Sequence, residues 1–171
     1  SRLYVGTYSV RGSEGIYGVD LDRKTGALSI AGVTKNNQNP SFLALHPRKK
    51  YLYAVNEANG ETAGVSAYTI DKATGTLQLL NQRATEGAGP CHISIDKSGK
   101  LAFVSAYGGG VFTTLPVEAV TQRIADKTGH MRIRRLFLPI VSTFMWPIWV
   151  MTGFTCMTLL RVNRRRIQCR L

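Results

Sequence analysis

The sequence is poor in the residues that build metal centres and covalent frameworks. It has three cysteines and three histidines in 171 residues. Cys91, Cys156 and Cys169 form no CxxC pair and no ligand spacing, which argues against both a zinc site and a disulfide scaffold. Helical periodicity is missing as well over residues 1–117, where apolar side chains recur every second residue. That excludes a helical bundle for this stretch. No signal peptide is visible, and the first strand-like segment begins almost at Ser1, without a preceding methionine. Outside the last fifty residues Cys91 is the one thiol, so a reducing, cytoplasmic setting is the expectation. Acidic side chains are scarce in one region only. Residues 1–119 hold 12 Lys+Arg against 9 Asp+Glu, whereas residues 120–171 hold 10 against 1. The net charge of +12 is therefore mostly a property of the tail.

What the chain does have is a repeat. Asp22-Arg23-Lys24-Thr25-Gly26-Ala27-Leu28 returns as Asp71-Lys72-Ala73-Thr74-Gly75-Thr76-Leu77. Asn39-Pro40-Ser41-Phe42-Leu43 returns as Gly89-Pro90-Cys91-His92-Ile93, and Leu3-Tyr4-Val5, Tyr53-Ala54-Val55 and Ala102-Phe103-Val104 mark a third series. Residues 15–21, 27–30, 41–45 and 51–55 alternate apolar and polar side chains around turn-forming segments, and are read as one unit of four short strands. A period of about fifty residues with four strands per unit predicts blades of a β-propeller. A β-sandwich would not require the same turn at a constant interval. The expected class is all-β, a partial propeller of two or so four-stranded blades over residues 1–117, followed by a tail over 118–171.

Leu3-Tyr4-Val5-Gly6-Thr7-Tyr8, Asn39 to Leu43, Tyr51-Leu52-Tyr53-Ala54-Val55-Asn56-Glu57, Gly64-Val65-Ser66-Ala67-Tyr68 and Pro90-Cys91-His92 resemble the opening blades of the lactonase family. These are seven-bladed propellers that include bacterial 6-phosphogluconolactonases and resemble fungal carboxymuconate cyclases. The resemblance covers about residues 2–117 and implies hydrolysis of a sugar lactone, most simply 6-phosphogluconolactone, with no metal or organic cofactor. Cyclase-like chemistry stays open, because relatives of both kinds share these motifs. The family's proposed catalytic histidine, arginine and glutamate lie mostly in later blades, so the resemblance names no catalytic residue here and implies that this chain alone is inactive and poorly folded.

Propellers bind ligands around the central channel. Residues 53–57 and 103–107 are read as the ends of the innermost strands, which makes Glu57, Asn56, Tyr107 and His92 the channel candidates. A lactonase needs a base for water, a group that polarises the carbonyl and a stabiliser for the oxyanion. Each candidate also has a structural role open to it: Glu57 as a bond between blades, Asn56 as a turn residue, Tyr107 as packing, His92 as a satisfied histidine. His46, which matches Asp96 in the repeat, reads as a turn residue. Gly108-Gly109-Gly110 has no following helix or Lys-Ser/Thr pair and reads as a tight turn, not a phosphate loop. The Asp-x-x-Thr-Gly segments read as backbone turns.

Leu136 to Leu160 contains no charged residue and is bracketed by arginines, the pattern of a membrane anchor. That supports an alternative: a non-enzymatic, membrane-tethered propeller-like binding module. No aromatic platform or recognition motif accompanies the basic residues, which argues against nucleic acid. A third reading uses the single codons of Met and Trp. Shifting the frame forces Val at Met145–Trp146, Ala at Trp146–Pro147, Gly at Trp149–Val150 and Asp at Met151–Thr152. The neighbours permit Val-Ala-Asp-Leu-Gly-x-Asp-Arg-Ile, which resembles a family strand. Residues 129–134 in that frame permit Pro-His-Ala-His-Ser, which resembles another family motif and would carry its histidine. The tail is therefore expected to be a frameshifted propeller segment rather than an anchor.

Overall fold

In the computed structural model, residues 1–36, 38–118, 124 and 129–132 are described, all within one compact unit, Ser1–Arg134. The tail from 136 to 160, on which the anchor reading depends, lies outside them. Among the described residues, eleven strands make three antiparallel meanders. The first comprises β1 (Arg2–Val5), β2 (Gly15–Leu21) and β3 (Leu28–Lys35). The second comprises β4 (Leu43–Leu45), β5 (Tyr51–Asn56), β6 (Gly64–Ile70) and β7 (Leu77–Ala84). The third comprises β8 (Pro90–Ile95), β9 (Leu101–Ala106), β10 (Val111–Pro116) and β11 (Gly129–Arg132). A 3-10 turn at Gly60–Thr62 joins β5 to β6.

Two features differ from the sequence expectation. Residues 15–55 do not form one blade; β2 and β3 belong to the first sheet, β4 and β5 to the second. The repeat fixes a period but not its starting point, and the pairing of Tyr51 with Thr69 through Asn56 with Gly64 sets the boundary. In consequence β5 and β9 are second in their sheets, not innermost. β4 and β8 form the edge, and β8 packs against both β4 and β5 where the two sheets converge. The third sheet also runs past residue 117, since Val111 to Thr114 pair with Arg132 to Gly129.

The turn chemistry is as the sequence suggests. Asp22 accepts from the Lys24 and Thr25 amides at 2.8 and 3.3 Å, and Asp71 from the Ala73 and Thr74 amides at 3.0 and 2.7 Å. Gly26 and Gly75 close the two turns at φ 73° and 71°, a left-handed conformation that glycine adopts without a Cβ penalty. A bulge recurs at Gly18/Val19 and Ala67/Tyr68.

Alternation along β5 explains the core. Tyr53 and Val55 pack with Val65, Ala67, Ile93, Ala102, Val104 and Leu115 between the second and third sheets. Leu52 and Ala54 pack with Ile16, Tyr68 and Leu77 between the first and second. A strand buried on both faces reads as a continuous apolar run, which is what Leu52-Tyr53-Ala54-Val55 is. Polar ties cross the same interfaces. The Tyr4 hydroxyl donates to the Gly75 carbonyl at 2.8 Å, and the Thr113 hydroxyl to the Thr85 carbonyl at 2.8 Å.

Candidate functional site

The end of the sheets at which β4 and β8 begin and β5 ends gathers two of the four candidates, Glu57 and His92. Glu57 follows β5 directly and is half-buried. The Tyr8 hydroxyl, from the loop after β1, lies 3.0 Å from both of its carboxylate oxygens, and the Ser41 hydroxyl donates to Oε2. The Glu57 backbone is held as well. Its amide donates to the Asn39 carbonyl and its carbonyl accepts from Asn39 Nδ2, both at 3.1 Å. Asn39 adopts φ 51°, a conformation its short polar side chain tolerates, and its Oδ1 accepts from the Ser9 amide at 2.9 Å. One asparagine thus positions Glu57 against the loop carrying Tyr8. A carboxylate fixed by two neutral hydroxyls keeps free lone pairs for a ligand's donors.

His92 sits in β8 beside a bulge between Pro90 and His92, where the neighbouring Cys91 falls out of register with β9. Its ring packs against Phe42, centroids 4.5 Å apart and tilted by 47°. Burial lowers its pKa below the ordinary imidazole value, so at neutral pH it is uncharged, with one nitrogen donating and the other accepting. Cys91 is half-buried with a free thiol. Burial raises its pKa and the Glu57 charge adds to the rise, which makes it a poor nucleophile at neutral pH. Tyr8 is raised first by burial and then by its bond to Glu57.

The other two candidates stand apart from this cluster. Asn56 is 2 % exposed, and its Oδ1 accepts from the Ser66 hydroxyl of β6 at 2.8 Å, a bond inside one sheet. Tyr107 follows β9 as Glu57 follows β5, its amide donates to the Gly89 carbonyl at 3.0 Å, and its side chain is exposed. His46 is a turn residue with a further task. Its Nδ1 accepts from the Arg48 amide at 3.1 Å, which leaves Nε2 protonated to donate to the Gly99 carbonyl at 3.2 Å across the sheet interface.

Tyr8, Ser41 and Phe42 were not among the sequence candidates. The strand pairing sets Tyr4 level with Tyr53, one residue off the Leu3–Tyr53 alignment read from the sequence, and so puts Tyr8, Glu57 and Tyr107 at equivalent positions after β1, β5 and β9. Ser41-Phe42 is equivalent to Cys91-His92 as the repeat implies.

Residues 2–133 match the model of the lactonase family, described as a 7-bladed β-propeller. The chain belongs to that family. A 6-phosphogluconolactonase of Bacillus subtilis is 38% identical over 115 residues, which are 67% of this chain and 33% of the relative. One from Formosa agariphila is 38% identical over 107 residues, 61% of this chain and 30% of the relative. The structure of a periplasmic gluconolactonase of Pseudomonas aeruginosa superposes with TM-score 0.70 at 30% identity, covering 76% of this chain and 38% of that one. The chain spans about a third of the length of these lactonases. Its three sheets correspond to a partial propeller, all-β as the sequence implies.

Proposed function

We propose that the gene from which this chain derives encodes a sugar-lactone hydrolase, with 6-phosphogluconolactone as the first substrate to test. The observation that carries the reading is the 38% identity to the Bacillus subtilis 6-phosphogluconolactonase across 115 residues. In this reading the reaction adds water to the lactone carbonyl and opens the ring to the acid. Glu57 and the uncharged His92 would line the wall that holds the lactone, and Tyr107 the rim beside it. The base that activates water and the groups that stabilise the oxyanion are not assigned to them. Asn56 is given a structural role, because its side chain is used inside the second sheet. A cytoplasmic location belongs to the same reading, supported by the free thiol of Cys91.

The tail reading belongs to the proposal too. The frame change is read between Pro116 and Gly129, so that residues 129–134 fall in the shifted frame as Pro-His-Ala-His-Ser. Sequencing codons 110–160 from an independent isolate tests this, with an open shifted frame as the expected result. The chain restored to that frame should hydrolyse 6-phosphogluconolactone well above its spontaneous rate. A restored chain that leaves that rate unchanged sinks the reading. Stops throughout the shifted frame would instead favour the anchored module, which detergent extraction would then reveal.

A further inference from the structure

Resting on the lactone reading above, we infer that the Tyr8–Glu57–Ser41 cluster and the Phe42–His92 pair form a hydroxyl-reading subsite, which takes the uncharged polyol edge of a sugar lactone and turns a phosphate ester away. The five side chains come from three successive stretches of chain that the fold brings to one end of the sheets: the loop after β1, the approach to β4 with the exit of β5, and β8. Phe42 and His92 offer adjoining ring surface for the C–H face of a sugar ring, and pockets of this kind combine apolar walls with a few fixed polar groups. Glu57 supplies the polar part. An ionised carboxylate only accepts, with about four lone-pair sites, and Tyr8 and Ser41 are two hydroxyl donors already on it. Both partners are hydroxyls, the same chemistry a polyol would bring.

Charge gives the direction of selectivity. Among the described residues Asp20 and Glu14 are paired with Arg2 and Lys35, and no cation pairs with Glu57. Its negative charge reaches its neighbours: Tyr8 and Cys91, raised first by burial, are both pushed further up by it. A phosphate monoester placed beside it would face a like charge in a partly desolvated site, where screening is weak. A phosphorylated lactone must therefore lie with its phosphate directed away from this wall, and its ring hydroxyls toward it.

The test uses the 171-residue chain, titrated with anhydroglucitol, a neutral cyclic polyol, and with its phosphate monoester, followed through the NMR signals of His92 and Tyr8. The neutral polyol should bind, and the monoester about tenfold or more weakly. Glu57→Gln keeps the shape, should weaken polyol binding by about tenfold, and should abolish the preference. Tyr8→Phe removes one of the two hydroxyls that fix Glu57, so polyol binding should weaken less than in Glu57→Gln and keep its preference for the neutral polyol. Tighter binding of the monoester, a preference unchanged in Glu57→Gln, a preference lost in Tyr8→Phe, or no polyol binding at all overturns the subsite. Hydrolysis by the frame-restored chain is scored separately. Hydrolysis with no role for Glu57 removes the subsite alone; Glu57-dependent binding without hydrolysis removes the lactonase reading alone.

Discussion

The first and second sheets are built from the same sequence pattern, yet their side chains meet different fates. Leu3 in β1 and Leu52 in β5 occupy equivalent positions, 41% and 2% exposed. Tyr4 and Tyr53 are also equivalent, and both pack against the next sheet along the chain. The difference is confined to the face that β5 turns toward the first sheet. On β1 the corresponding face, Leu3 and Val5, stays 41% and 45% exposed, and Leu28 and Ile30 of β3 are open as well. A blade's pattern thus specifies two apolar faces, and the neighbouring blade decides whether each is used. Stability in such an array is a sum of repeat and interface contributions, so it concentrates where a sheet has neighbours on both sides.

The sharpest way to test that comparison is to make one substitution at both equivalent positions. Leu52→Ala removes a fully enclosed side chain and should cost about 2–5 kcal/mol. Leu3→Ala should cost within about 0.5–1 kcal/mol, since its side chain is already partly in water. Urea denaturation of the two variants measures the difference directly. Equal losses would mean that β1 is covered on the face where Leu3 and Val5 are exposed.

This contrast also shows what the sequence could carry. Strand positions were legible because period-two alternation and Asp-x-x-Thr-Gly turns are local. Blade boundaries were not, because a repeat has no phase: β4 pairs with β5 under either grouping, and only the pairing of β5 with β6 across residues 57–63 settles which strand is the edge. The site shows the same division. Glu57 and His92 stood out as ionisable groups near strand ends. Tyr8 and Ser41 did not, because their importance lies in reaching Glu57 from 49 and 16 residues away. Asn39 was visible as a repeated motif, but its role in holding Glu57 to Ser9 depends on a left-handed backbone that no periodicity reveals.

A second, intermediate effect should come from loosening the interface between the second and third sheets. His46 is 2 % exposed and ties the β4–β5 turn to the carbonyl of Gly99 in the β8–β9 turn. His46→Ala leaves the Arg48 amide and the Gly99 carbonyl without that partner, and should cost about 1–3 kcal/mol. Gly99→Ala attacks the same contact from the other side, since a Cβ there would lie 2.2 Å from His46 Nε2 and Gly99 sits at φ 74°. Combining the two should give less than the summed loss, because the alanine at 46 removes the clash. Full additivity would show that His46 acts within its own turn alone. Either single variant should also reduce hydrogen-exchange protection in β5 and bring it toward that of β1.

The smallest effect expected is an acid-side one, at the position that answers His46 in the third sheet. Asp96 accepts from the Ser98 hydroxyl and from the Ser98, Lys100 and Leu101 amides, and these bonds hold its pKa down at about 2. The unfolded carboxyl titrates at about 3.9. A depressed acid contributes its stability fully above the unfolded value and loses it as pH falls through the folded one. The contribution should therefore be intact at pH 5, decline below about 4, and be gone below about 2. Asp96→Asn keeps the size and one acceptor oxygen, so its stability should run closer to level across that window while the wild type declines. The side chain is at the surface and its bonds are local to one turn, so the effect should stay in the β8–β9 turn and leave the Leu52 and Leu3 difference unchanged. If acid instead narrowed that difference, the turn and the interface would be one cooperative unit, and the equivalence of His46 and Asp96 would be a matter of sequence position only.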